Sequence, residues 1–256
     1  MHTALNAAVA AVIVYMLLWF IVSLVLKRND VADVAWGGGF IVAALAALVS
    51  RGVVTDRAVL VIVLVIIWGA RLVLHIGLRS RGKGEDARYR KWREEWGNHV
   101  ALRSFFQIYI LQGVLLLVIS LPVVRVITAP ESPLAFLDLL GAAVWVIGFL
   151  FEAISDWQLL QFKKEPANKG KVITTGLWRY SRHPNYFGEV TLWWGVFLLA
   201  LGAPGGWMTI IGPITITGLI LGMSGIPMLE RKYEGNAEFA EYKRRTSAFF
   251  PLPPKT

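Results

Sequence analysis

The chain has 256 residues, 56% of them hydrophobic and 17% charged, and it contains 0 cysteines. That balance is too apolar for a soluble globular domain. The lack of cysteine excludes disulfides, thiolate metal sites, iron–sulfur clusters and thiol nucleophiles, and the 4 histidines supply a metal centre poorly. A formal charge of +9 would suggest nucleic acid in a soluble protein, but here its meaning depends on where the cations fall between apolar runs.

Seven apolar segments predict an all-α, polytopic membrane protein: residues 4–26, 34–49, 58–78, 105–127, 134–160, 186–201 and 207–229. About 20 apolar residues at roughly 1.5 Å rise cross a bilayer core. The second and sixth segments are short, which leaves six as the alternative count. The first lacks a basic leader and is too long for a signal-peptide core, so it is expected to remain as a membrane helix. With no repeat and no long linker, the simplest organisation is a single membrane domain over residues 1–256.

Assigning the connections alternately to two sides gathers 22 cationic side chains on one side: Lys27 and Arg28, loops 79–103 and 163–182, and the tail from Arg231. The other side holds only Arg51, Arg57 and Arg125. The positive-inside bias therefore puts the N-terminus outside and the C-terminus in the cytoplasm, with any site facing the cytoplasm.

Along the chain, Asp33 opens the second segment after Asp30, and either helix capping or a site role accounts for it. On the third segment, Arg71, His75 and Arg79 follow one another at i,i+4 and share a helix face. The run RSRGKGEDARYRKWR at 79–93 combines glycines with seven cations; it is read as a loop that holds phosphate or lipid headgroups. Asp138 is expected to be a solvated turn residue. On the fifth segment, Glu152 and Asp156 repeat the i,i+4 spacing as an acidic pair, either bound to Arg71 or open to a ligand.

The most specific string is GLWRYSRHPNYFGEV at 176–190. Pro184 suits a helix start, Asn185 and Glu189 then lie i,i+4 on one face, and His183 stands at the mouth with Arg179 and Arg182. Asn and Glu inside a membrane helix need buried partners, and an amide such as nicotinamide offers both a donor and an acceptor.

With Ser155–Asp156 and RGKGEDARY at 81–89, the string SRHPNYFGE resembles the steroid 5-alpha-reductase family, closest to its bacterial branch DUF1295. The resemblance runs from about Asp33 to residues 238–244. It implies a seven-helix bundle in a bacterial inner membrane, holding NADPH toward the cytoplasm and reducing a carbon–carbon double bond conjugated to a carbonyl in a lipophilic, steroid-like substrate. By motif it implies Asn185 and Glu189 at the nicotinamide end, Asp156 and Lys163 at the nucleotide region, and Arg79, Arg81 and Lys83 at the phosphates. Tyr180, Arg182 and His183 are further cofactor candidates, and Glu230 and Tyr233 lie in a charged stretch able to close over the cofactor.

The steroid reductases share a Glu–Tyr pair that polarises the substrate carbonyl, and the sequence does not display it. Trp68 stands near the tyrosine's place and Asp33 is the acid near the glutamate's, so Asp33, Trp68 and His75 are the catalytic candidates. No metal and no nucleic acid is expected. RHPNY followed by Gly and Glu also resembles membrane methyltransferases that use S-adenosylmethionine on isoprenoid or lipid substrates, which is the alternative function. A non-catalytic lipid-binding protein on the same fold is the third reading.

Overall fold

The computed structural model describes residues 2–255, which are mostly helical with no strand among them. The protein is an all-α polytopic membrane protein. It divides into two compact units, Met1–Ala135 with Leu199–Gly212 and Phe136–Leu198 with Pro213–Thr256.

The first unit contains α1 (His2–Leu26), α2 (Val31–Arg51), α3 (Asp56–Ser80), α4 (Ala87–Trp96) and α5 (Val100–Ser104). A π-helical turn over Phe105–Ile110 leads into α6 (Leu111–Ile119) and α7 (Leu121–Thr128). Its helix boundaries follow local chemistry. Thr55 caps α3 by accepting the Ala58 amide, and α2 ends at Gly52 (φ 72°), whose N–H reaches back to the Leu48 carbonyl. Where α2 crosses α3 the backbones nearly touch: a Cβ on Gly37 would lie 2.8 Å from the Gly69 carbonyl oxygen. Away from the site described below, Arg51 donates to the Ile127 carbonyl, and Arg57 donates to Ser132 Oγ at 3.0 Å and the Gly202 carbonyl at 3.1 Å. These arginines satisfy chain ends that water would otherwise have to solvate.

The second unit is built on α8 (Phe136–Lys164) and most of α9 (Pro184–Leu201), followed by α10 (Ile211–Gly218), α11 (Ile226–Glu230) and α12 (Ala237–Arg245). Asn236 caps α12 through the Phe239 amide at 2.9 Å, and Lys243, Arg244 and Arg245 complement its C-terminal end. α8 and α9 meet along Gly148, Gly188 and Gly195, where an added Cβ would run into the backbone of the other helix.

Several expectations change. Among the described residues, six helical stretches are long and apolar enough to cross a membrane: His2–Leu26, Val31–Arg51, Asp56–Ser80, Ala87–Ile119, Phe136–Lys164 and Gly206–Tyr233. The expected sixth segment is the 18-residue α9, which is not among them because its opening turns carry Asn185 and Glu189. The stretch read as one segment over 105–127 breaks at Ser120, with Pro122 in the first turn of α7. Part of the supposed loop 79–103 is α4, capped by Asp86 and carrying Tyr89, Trp92 and Trp96 at helical spacing. Asp138 is not a solvated turn residue: it is 0% exposed in the first turn of α8.

The α8–α9 contact sets the register of the polar residues discussed next. Replacing Gly188 by Ala would put a Cβ 2.8 Å from Glu152 Cβ and against rigid backbone. Gly188→Ala is expected to destabilise the protein by about 1–3 kcal/mol, read as a lower thermal midpoint in detergent.

Candidate functional site

In the second unit, the segment before α9 is tied down from two sides. Trp178 Nε1 donates to the Ser155 carbonyl on α8 at 3.1 Å, and the Leu177 amide donates to Gln158 Oε1 at 3.0 Å. The C-terminal tail supplies the other side: the Arg182 amide donates to the Ser247 carbonyl at 2.8 Å, Ser181 Oγ to the Phe249 carbonyl at 2.8 Å, and the Tyr242 hydroxyl to the Trp178 and Ser181 carbonyls. Burial pushes the Tyr242 phenol well above its ordinary pKa, so it stays protonated and donating.

Held in this way, Pro184 starts α9 and Asn185 faces α8. Asn185 Nδ2 donates to Asp156 Oδ1 at 3.2 Å. A carboxylate only accepts hydrogen bonds, so the pair fixes the amide with its NH2 toward Asp156. Asn185 Oδ1 is then left buried with no hydrogen-bond partner. On α8, Glu152, Ser155 and Asp156 are buried, and Glu189 is half-buried one turn further along α9.

Just ahead of α9 a carboxylate gathers two cations and a histidine. Glu230 Oε1 accepts from Arg182 Nε at 2.8 Å and from His183 Nε2 at 3.1 Å, and Oε2 pairs with Lys243 at 3.2 Å. Arg182 Nη1 also donates to the Thr246 carbonyl at 2.5 Å, and the His183 ring stacks on Tyr186. Arg182, His183 and Glu230 are therefore brought together, but they bind each other and the tail. Tyr180 and Lys163 are exposed, while Tyr233 stacks on Phe239 beside a crevice of about 340 Å³ that Glu230 and Lys243 also line.

The first unit carries a second polar cluster, where the α1–α2 turn meets the 81–86 segment. Two acids exchange backbone amides: Glu85 accepts the Asn29 amide at 2.6 Å, and Asp30 accepts the Asp86 amide at 2.9 Å. Each acid also holds an arginine, Glu85 with Arg93 at 2.9 Å and Asp30 with Arg28 at 2.7 Å. This staple seats α4 so that Asp33 Oδ1 accepts the Tyr89 hydroxyl at 2.6 Å and Oδ2 pairs with Arg88 at 3.0 Å.

Asp30 holds the N-cap position of α2 and Asp33 lies in its first turn, with its carboxylate engaged by α4. Trp68, 1% exposed, packs edge-on to Phe40, and His75 is half-buried on α3. Arg79, Arg81 and Lys83 are exposed at and beyond the end of α3. Sequence reasoning missed Tyr89 and Arg88 as partners of Asp33. The signal lay in the 79–93 run itself, where Asp86 is a helix cap and Tyr89, Trp92 and Trp96 follow at i,i+3,i+7.

The DUF1295 family, described as a protein of unknown function, matches residues 19–246. The chain belongs to the DUF1295 family. A probable O-methyltransferase of Ustilaginoidea virens is 39% identical over 62 residues, 24% of this chain and 22% of that protein. The 3-oxo-5-alpha-steroid 4-dehydrogenase 1 of Bos taurus is 39% identical over 69 residues, 27% of this chain and 26% of that protein. The DUF1295 chain thus aligns with about a quarter of the length of either curated relative. No solved structure matches. Among the described residues no group of three or more His, Cys, Asp or Glu side chains has the arrangement to hold a metal ion.

Burial raises the Asp30 carboxyl, but the Arg28 hydrogen bonds and the Asp86 amide outweigh it and hold Asp30 below its ordinary pKa. A depressed acid stabilises the fold fully above its unfolded pKa, about 4, and the contribution is lost as pH falls through the lower folded value. The wild-type thermal midpoint is therefore expected to drop more steeply below about pH 4 than that of Asp30→Asn.

Proposed function

We propose that this membrane protein is an NADPH-dependent reductase of a carbon–carbon double bond conjugated to a carbonyl in a lipophilic substrate. The observation that carries this reading is the Asn185 amide. One N–H of its NH2 goes to Asp156, and its carbonyl oxygen is buried without a partner, so the position calls for a ligand N–H donor. A nicotinamide carboxamide fits, since its NH2 donates to Asn185 Oδ1 and to neighbouring carboxylate oxygen, and its carbonyl accepts the second Asn185 N–H. Asn185, Asp156 and Glu189 would hold this end, and when bound the cofactor supplies the hydride.

The cation distribution supports a site that faces the cytoplasm, and the family resemblance implies a bacterial inner membrane.

Similarity to a methyltransferase keeps S-adenosylmethionine as the second reading. The two separate in a thermal shift of the detergent-purified protein with NADPH, NADH, S-adenosylmethionine or S-adenosylhomocysteine. NADPH is expected to raise the midpoint, and Asn185→Leu to abolish that rise while remaining folded; stabilisation by the adenosyl ligands alone would replace the reductase with methyl transfer.

A further inference from the structure

The charged cluster at the end of α3 divides its cations into two sets. Arg28, Arg88 and Arg93 are held by Asp30, by Asp33 and Asp86, and by Glu85. These pairs occupy the acids of the segment. Arg79, Arg81 and Lys83 are exposed, and among the described residues no carboxylate pairs with them.

Their presentation is fixed by the backbone. Arg81 (φ −60°, ψ 130°) and Gly82 (φ 72°) form a type II turn closed by the Lys83 amide on the Ser80 carbonyl at 3.1 Å. Arg28, already locked on Asp30, donates to the Lys83 carbonyl at 3.2 Å and pins the turn from outside. One turn and two turns back on α3, Leu78 (68% exposed) and Leu74 (62% exposed) form an apolar strip that leads into these cations. α3 itself is long and apolar enough to cross a membrane, so the strip lies at acyl-chain depth and the turn at headgroup depth.

We propose that Arg79, Arg81 and Lys83 form a binding site for the headgroup of an anionic phospholipid, whose acyl chain lies along Leu74 and Leu78. The phosphate of such a lipid and the phosphates of a dinucleotide share the chemistry that these cations read. The site is assigned to the lipid because the apolar strip continues directly into it, and a dinucleotide has no use for exposed leucines. The assignment does not depend on the reductase reading.

The test measures retention of phosphatidylglycerol against phosphatidylcholine by native mass spectrometry of the purified protein. A parallel thermal shift with NADPH reports on the dinucleotide. The wild type is expected to retain phosphatidylglycerol selectively, and R79Q/R81Q/K83Q to lose that selectivity by roughly fivefold per charge removed. The charge-preserving R79K/R81K keeps it, as does K164Q/K169Q, which removes exposed lysines from the second unit. Undiminished selectivity in the triple variant overturns the proposal, and loss of the NADPH shift with phosphatidylglycerol retained would assign the cations to the dinucleotide instead.

Discussion

A polar group among membrane-spanning helices has no water to fall back on, so its hydrogen bonds must be made by protein or by a ligand. The polar clusters of this protein follow from that constraint. Glu85 and Asp30 each take a backbone amide from the other's strand of chain and a guanidinium of their own. Asp33 takes a phenol and a guanidinium, and Glu230 takes two cations and a histidine. The exception that matters for function is Asn185, whose amide is satisfied at one end and left open at the other.

Close helix packing makes these arrangements possible. Glycines at Gly148, Gly188 and Gly195 let α8 and α9 approach until backbone meets backbone, and that approach brings Asn185 within reach of Asp156. The tail then fastens the segment leading into α9 through the carbonyls of Trp178, Ser181 and Thr246. Each of these interactions is modest by itself; in the low dielectric of a helix bundle they reinforce each other, because losing one strands its partner.

Much of this was legible in the residues. Apolar length announced an all-α polytopic membrane protein, and Pro184 followed by Asn185 and Glu189 announced a helix start with polar side chains in its first turns. Other features were hidden for identifiable reasons. Hydropathy alone does not see the break at Ser120, because the residues on both sides are apolar. α4 was masked by its charge, since arginine-rich composition reads as a loop unless the Asp86 cap and the aromatic spacing are weighed. Asp138 looked solvated because sequence position at a segment end says nothing of what packs over it. The Asp33–Tyr89 pair joins residues 56 apart in sequence, and only the Glu85–Asn29 and Asp30–Asp86 staple brings them together. Carboxylates likewise withdraw Arg88 and Arg93 from the basic run, which no count of charges reveals.

Reductase function of this kind requires Asn185 Oδ1 to accept a hydrogen bond from a ligand amide. The most direct measurement is the affinity of NADPH and of its 3-acetylpyridine analogue, in which a methyl group replaces the carboxamide NH2, for the wild type and for Asn185→Leu. If Asn185 reads the carboxamide, the wild type prefers NADPH by about tenfold, as expected for a buried acceptor left without its donor, and the variant binds both equally weakly. An identical preference in wild type and variant, or none in either, would contradict it.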